Sequence, residues 1–399
     1  MLTSLSLIFL VGLASAAICQ ALRLPRMIGM LVTGVVLGPF VLDFLDPSIL
    51  GLSAELRQMA LIIILIKAGL SLRISDLKKV GRPAILMSFL PALFEILAFV
   101  LFAPKLLDVT LIEAAIMGAV LGAVSPAVVV PKMVSLMESR YGTEKSIPQM
   151  ILAAASLDDV FVIVLFSTFV GMAQGNSASV MDFVNIPISI VSGVALGAAL
   201  GWVLGMFFET AYAHKHLIRN STKVILVLGF SFLLIAIEAW LEGILSVSGL
   251  LAVMSMACVL QMKSTASVSK RLSEKFGKLW IAAEVILFVL VGAAVDIRYT
   301  LEAGAAAVGL ILLALVFRSV GVWLCLIGTP LNLKERMFCV IAYLPKATVQ
   351  AAIGSIPLSL GLPCGNMVLS VAVLSILLTA PLGAFGMEIS YKRLLTEET

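Results

Sequence analysis

Charged residues are scarce in this chain of 399 residues. Asp, Glu, Lys and Arg together make up 13% of it, about half of the quarter that is usual for soluble domains. Hydrophobic residues make up 61%. This balance excludes an ordinary soluble protein and predicts an all-α polytopic membrane protein. Spans of about twenty residues with short connections leave no room for a soluble domain of ordinary size.

Cysteine and histidine, which build most metal and many catalytic sites, are also few. There are two histidines and five cysteines. The cysteines are scattered, mostly inside apolar runs: Cys19, Cys258, Cys325, Cys339 and Cys364. No cluster of His or Cys and no pair of nucleophile and base stands out. The sequence therefore predicts no disulfide, no resident metal or other cofactor, and no enzyme.

Apolar windows separated by charged or Gly/Pro-rich breaks predict thirteen transmembrane helices. They cover approximately 3–19, 26–43, 57–72, 83–103, 109–135, 147–172, 183–208, 222–240, 245–262, 278–296, 301–328, 335–357 and 364–387.

Lys and Arg alternate in number between successive connections. The odd-numbered connections and the C-terminal tail hold 21 of them, whereas the even-numbered connections hold 3, namely Arg57, Lys105 and Arg298. Because basic residues concentrate on the cytoplasmic side, the N-terminus is predicted outside and the C-terminus in the cytoplasm. The expected location is the plasma (inner) membrane.

Two adjacent carboxylates, Asp158 and Asp159, lie near the centre of the apolar stretch from Met150 to Val170. An ionisable residue at bilayer depth costs a few kcal/mol, roughly 3 by insertion scales, unless it faces water, an ion or a charged partner. Apolar runs on both sides argue against a loop, and two neighbouring acids are poorly suited to joining helices. We therefore interpret the pair as a site for a monovalent cation and a proton.

Two apolar windows contain prolines and are predicted to break. The fifth window carries Pro126 and Pro131, and the twelfth carries Pro345 followed by Lys346. A proline removes a backbone donor and crowds the preceding turn, so freed backbone groups are expected at both positions. Inside a membrane such groups are tolerated only beside a cavity or an ion.

A buried charge precedes each broken helix. Glu95 lies 31 residues before Pro126, and Arg318 lies 27 residues before Pro345. Helices 1–6 and 8–13 are therefore predicted to form two inverted-topology repeats, whose broken helices meet at the substrate. Glu95 and Arg318 are expected to form an ion pair, because each is expensive alone. Lys346 is expected to compensate helix ends or Asp158.

Oxygen ligands for a cation are predicted from Asp159, Asp158, the Ser125 hydroxyl and the carbonyls freed by the breaks. A proton and a cation would compete for this negative charge, as exchange requires. A sodium-coupled symporter of an organic anion is an alternative, but it needs polar cavity residues, of which few are present. A channel is a further alternative, and the absence of a ring-forming filter motif speaks against it.

The two break segments carry a family resemblance. GAVSPAVVVP at 122–131 and LPKATVQAA at 344–352, together with Asp158 and Asp159, resemble the double-aspartate, NHA-type sodium/proton antiporters of the cation/proton antiporter superfamily. The resemblance implies exchange of Na⁺ or Li⁺ for H⁺, with K⁺/H⁺ exchange as an alternative. It makes the second aspartate the main cation ligand and proton carrier, assisted by the first, and Glu95 with Arg318 a family ion pair.

The resemblance also implies a homodimer with two kinds of helices, and two broken helices that cross beside the aspartates. Core helices would cover approximately 83–172 and 301–387, and dimerisation helices approximately 1–72 and 183–296. The expected partners are monovalent cations, protons and the lipid bilayer, with no nucleic acid. One departure is Arg318, where many bacterial double-aspartate members carry lysine. Because arginine keeps its proton, proton release from this position is not expected.

Overall fold

The computed structural model describes residues 1–22, 24–71, 81–174, 180–213, 219–241 and 247–397. Within these ranges the regular structure is helical, apart from one isolated bridge between Tyr141 and Glu397. Several basic residues counted for the orientation lie outside the described residues: Arg23, Arg73, Lys78, Lys79 and Lys215.

The described helices, numbered in chain order, follow the predicted windows. They are α1 Leu2–Ala21, α2 Arg26–Leu37, α3 Pro47–Gly51, α4 Ser53–Ser71, α5 Arg82–Met87, α6 Leu90–Leu106, α7 Leu111–Gly122, α8 Pro126–Glu138, α9 Ile147–Ala173, α10 Val180–Ala213, α11 Asn220–Leu241, α12 Gly249–Lys263, α13 Ala266–Ala293, α14 Ile297–Cys325, α15 Leu333–Ala342, α16 Thr348–Ile353, α17 Ile356–Ser359 and α18 Gly365–Leu394.

Membrane-spanning capacity is clear for much of the chain. In the described ranges, eight candidate spans are long and apolar enough to cross a bilayer, and α2, α7 and α12 are shorter apolar helices. Every predicted window coincides with at least one helix of the structure. The predicted class, an all-helical polytopic membrane protein, is therefore confirmed, while the count of thirteen crossings stays a prediction.

Prolines mark helix starts more often than interior breaks. Pro126 is the first residue of α8, where its missing N–H has no helical partner to lose. The expected break at Pro131 is absent, because α8 continues through that residue. One lost hydrogen bond is tolerated there. The window predicted over 83–103 is divided between α5 and α6, just before Pro91.

The start of α13 also differs from the prediction. The helix begins at Ala266, not near residue 278. Its first turns bury Val268, Leu272 and Phe276, four residues apart, with lysines and an arginine between them. A hydropathy window averages such an amphipathic segment to a polar value and so misses it.

The helices pack into two compact units. The first comprises Met1–Arg57, Ile74–Ala173 and Val285–Thr399. In it, α6 packs against both α7 and α14, α9 packs against α7 and α8, and α18 packs against α14 and α15.

The second unit comprises Gln58–Arg73 and Gln174–Glu284. In it, α10 packs on α12 through Gly193, Gly197 and Gly201, where an added Cβ would collide with backbone of α12 or of Ser248, the residue before it.

The segment after α18 returns to the connection between α8 and α9. Gly142 N donates to Thr396 O at 2.8 Å, and Tyr141 Oη donates to Glu397 Oε2 at 2.8 Å. Lys132, in the middle of α8, pairs with Glu388 of α18 at 2.8 Å. The contacts of Tyr141 and Gly142 join the ends of α8 and α18 that lie away from the helix breaks.

Candidate functional site

The first break, between α7 and α8, contacts the second break, between α15 and α16. Ser125 N donates to Pro345 O at 2.8 Å, which joins the two segments directly. One residue earlier, Val124 N donates to Asp158 Oδ2 at 2.7 Å. The two broken helices therefore meet beside the aspartate pair of α9, as the family resemblance implies.

The carbonyls that end α7, at residues 121–123, each accept a hydrogen bond from a buried side chain. The donors are, in order, Lys346 Nζ, Arg318 Nη1 and Gln350 Nε2, the last at 2.8 Å. Two of the three are cationic, which suits the negative end of a helix dipole. The carbonyls expected to serve as cation ligands thus already carry hydrogen bonds.

Freed groups of the second break are satisfied in the same way. Tyr343 O accepts from Arg318 Nε at 2.6 Å, and Lys346 N donates to Thr379 Oγ1 of α18 at 2.8 Å. Gln350 bridges the breaks, since its Oε1 accepts from Ala347 N at 2.7 Å while its Nε2 reaches the first break. Side chains from α14, α18 and α16 itself thus hold a backbone that proline has released.

Four buried charges form one cluster beside these breaks. Glu95 Oε2 lies 2.7 Å from Arg318 Nη1 and 2.6 Å from Lys346 Nζ. Arg318 Nη2 also lies 3.2 Å from Asp158 Oδ2. The predicted ion pair between Glu95 and Arg318 is present. Lys346 meets a helix end and Glu95, and the basic partner of Asp158 is Arg318.

Two glycines allow the helices of this cluster to come close. A Cβ on Gly118 of α7 would lie 2.7 Å from Ile96 Cα of α6. A Cβ on Gly321 of α14 would lie 2.9 Å from Pro91 Cα. Real Cβ atoms do not make such contacts, so larger residues would push α7 and α14 away from Glu95.

Asp159 stands apart from this compensated cluster. Asp159 is 6% exposed, and its Oδ1 has no hydrogen-bond partner. Among the described residues, the ion pairs at this site do not include Asp159. Asp158 Oδ1 and Ser125 Oγ are likewise buried without a partner. These are hard oxygen donors of the kind that an alkali cation prefers.

No group of three or more His, Cys, Asp and Glu side chains suited to a metal ion occurs in the parts of the chain that the structure describes.

The sequence model of the sodium/hydrogen exchanger family, which describes its transmembrane region, matches residues 5–389 of this chain. The chain belongs to the sodium/hydrogen exchanger family. Among curated members, the chain is 35% identical over 388 residues to human (Homo sapiens) sodium/hydrogen exchanger 9B2, covering 93% of this chain and 70% of the relative. It is 31% identical over 420 residues to human sodium/hydrogen exchanger 9B1, covering 99% of this chain and 78% of the relative. The superfamily predicted from the motifs is thus confirmed.

Within this exchanger family the fold has a solved counterpart. The sodium proton antiporter MjNhaP1 from Methanocaldococcus jannaschii, at pH 8, superimposes with a TM-score of 0.79 at 23% identity, covering 98% of this chain and 97% of that one. At this identity the likeness concerns the fold alone. By its family the protein is an integral membrane member of a group of transporters.

Sequence reasoning missed part of this exchanger's site. The sequence patterns predict no role for Gln350 and Thr379, although each forms a hydrogen bond with a freed backbone group. The available signal was a glutamine in an apolar window four residues after Lys346. A buried amide is expensive unless its hydrogen bonds are made, which points to a specific structural partner.

Proposed function

We propose that this exchanger carries Na⁺, or Li⁺, in one direction and H⁺ in the other, by alternating access, with Asp159 as the carrier of both. The observation that carries the proposal is the carboxylate of Asp159, whose Oδ1 has no hydrogen-bond partner and which takes part in none of the ion pairs of the neighbouring cluster. Either a proton or a monovalent cation neutralises that carboxylate, and the two compete. Asp158 assists through its second oxygen, and Ser125 through its hydroxyl.

The charges at the crossing favour one cation per proton. Glu95 and Asp158 carry two formal negative charges, and Arg318 and Lys346 carry two positive ones in contact with them. Asp159 adds one more negative charge. A single proton or a single Na⁺ makes the whole site neutral, which lowers the cost of moving it through a low-dielectric region. Exchange is therefore proposed to be electroneutral.

The architecture proposed around this site is that of a homodimer in the plasma (inner) membrane, with the N-terminus outside and the C-terminus in the cytoplasm. Thirteen crossings form two inverted repeats. Core helices within 83–172 and 301–387 carry the site, and scaffold helices within 1–72 and 183–296 support it. The contact of the two breaks at Ser125 and Pro345 supports this arrangement, because transporters of inverted repeats bind substrate where broken helices meet.

The test uses purified protein in liposomes that contain a pH-sensitive dye. Adding Na⁺, Li⁺ or K⁺ outside should drive that cation in and protons out, so the interior should become more alkaline, and the order of the three responses gives the ion preference. A tenfold proton gradient is worth about 1.4 kcal/mol, enough to sustain a tenfold gradient of a cation exchanged one for one. Asp159→Asn should abolish the response, and a wild-type response from this variant would refute the site.

Stoichiometry is measured on the same vesicles. A potassium gradient with valinomycin sets the membrane potential, and electroneutral exchange should proceed at the same rate at 0 mV and at about −100 mV. A charge moved across the membrane is worth about 2.3 kcal/mol per 100 mV. A clear acceleration by the potential would contradict the charge count.

A further inference from the structure

Thr348 carries a buried hydroxyl for which the structure provides no partner. The residue is 0% exposed, and its Oγ1 makes no hydrogen bond among the described residues. Threonines inside helices normally donate to the carbonyl four residues earlier, as Thr33 does to Gly29 O at 2.8 Å. Residues 344–347, which precede Thr348, are not helical, so this local solution is not made.

The position of Thr348 connects it to the crossing. Pro345 accepts from Ser125 N at 2.8 Å, and Gln350 donates to Ala123 O at 2.8 Å. Thr348 thus lies between two residues that both contact the first break. It is the counterpart of Ser125, since each is a hydroxyl residue located at a break, fully buried, with an unpaired oxygen.

Unpaired buried oxygens concentrate at this crossing for a reason. Native proteins satisfy most buried polar atoms, and an exception indicates an ion, a water or a functional role. Here unpaired carboxylate and hydroxyl oxygens belong to Asp158, Asp159, Ser125 and Thr348, and a further one is Oη of Tyr343, just after α15. The carbonyls that end α7 accept from side chains instead. A dehydrated alkali cation needs several oxygens, and the two carboxylates with Ser125 alone supply few.

We propose that the Thr348 hydroxyl is a further ligand of the transported alkali cation, located on the second break opposite Ser125 on the first. This inference rests on the proposed exchange of a cation and a proton at Asp159. Thr348 contributes to the cation-loaded state and leaves the protonated state unaffected. It therefore determines affinity and selectivity for the cation and does not carry the proton.

The experiment replaces the hydroxyl by a methyl group of the same shape, in Thr348→Val. Removing an unpaired buried hydroxyl should raise the melting temperature of the sodium-free protein. The same variant should raise the KM for Na⁺ about tenfold, with kcat within about twofold of the wild type. It should also reduce the rise in melting temperature that saturating NaCl produces over choline chloride. The pH profile at saturating Na⁺ should stay unchanged.

Two further variants make the result decisive. Thr348→Ser keeps the hydroxyl and should retain the wild-type KM, and Thr348→Ala repeats the loss with a smaller side chain. The matched control is Ser390→Ala, which removes another buried, unpaired hydroxyl, eleven residues beyond Thr379 in α18. It should raise the melting temperature without changing the KM.

An unchanged KM for Na⁺ in both Thr348→Val and Thr348→Ala would overturn the ligand assignment, as would a lower melting temperature of Thr348→Val without sodium. Failure of the proposed function itself is a different result, namely wild-type protein that shows no cation-evoked proton flux.

Discussion

Arg318 is the residue whose removal should damage this crossing most. Its guanidinium pairs with Glu95 and Asp158 and also donates to the carbonyls of Gly122 and Tyr343. All of these contacts are buried, and the arginine itself is 0% exposed. In Arg318→Met, the carboxylate of Asp158 keeps only a backbone donor, and two carbonyls lose their partner. The variant should therefore fold less stably while the aspartate pair itself is unchanged.

The expected loss follows from these contacts. Removing one partner of a buried ion pair costs about 3–5 kcal/mol. The entropy of unfolding is about 2.1 cal/mol/K per residue, which for 399 residues is about 0.8 kcal/mol/K. The melting temperature should therefore fall by about 4–6 °C. Intrinsic fluorescence of the tryptophans in detergent, recorded during heating, measures this fall.

Two comparisons decide whether the buried network is the cause. Arg318→Lys keeps a charge but cannot form the same set of contacts, so its melting temperature should lie between those of the wild type and Arg318→Met. Arg336→Met makes the same chemical change in α15, where Arg336 donates to Leu331 O at 3.0 Å and Thr329 O at 3.3 Å and is half-buried. It should cost about 1 °C. If Arg318→Met loses no more than Arg336→Met, the reasoning is refuted.

Two other predictions concern the ends of the helices. Glu335→Gln removes the ion pair with Lys145 at 2.9 Å, in which Glu335 is buried and Lys145 is partly exposed. The melting temperature should fall by about 1–2 °C, and the KM for Na⁺ should stay unchanged. An altered KM would show that this end of the protein is coupled to the site. The hydrogen bond to Glu397 raises the pKa of Tyr141. Phenolate absorbance in the Glu397→Gln variant should therefore appear at lower pH than in the wild type, and Tyr141→Phe identifies which absorbance belongs to Tyr141. Identical titration curves for the wild type and Glu397→Gln would exclude the contact in solution.

The helical architecture was largely predictable from the sequence because each apolar window is long and bounded by charge or proline. The errors have local causes. The amphipathic start of α13 averages to a polar segment, so its buried stripe at Val268, Leu272 and Phe276 escapes a hydropathy window. Pro131 looks like a break, yet one missing hydrogen bond does not end α8. Such outcomes depend on neighbouring helices, which a linear pattern does not contain.

The candidate site was predictable at residues whose burial without a partner is energetically unfavourable. Asp158, Glu95 and Arg318 are ionisable residues in apolar windows, so partners had to exist. The choice of partners was less predictable, because it depends on which helix faces which. Arg318 pairs with both Glu95 and Asp158, whereas Lys346 pairs with Glu95 and donates to a carbonyl at the end of α7. The role of Gln350 is not predictable from the sequence, because its hydrogen-bond partners come together only when the two breaks lie side by side in the fold.

The main-chain oxygens at the end of α7 are occupied by Lys346, Arg318 and Gln350, and this has an evolutionary consequence. Filters built from carbonyl rings fix ion preference in the backbone, which point mutations alter only indirectly. Here ion preference would depend on a few side chains that mutation can replace, while the hydrogen-bonded backbone around them stays the same. Lineages facing different salts would then be able to change the transported ion by one codon and keep the rest of the machine intact.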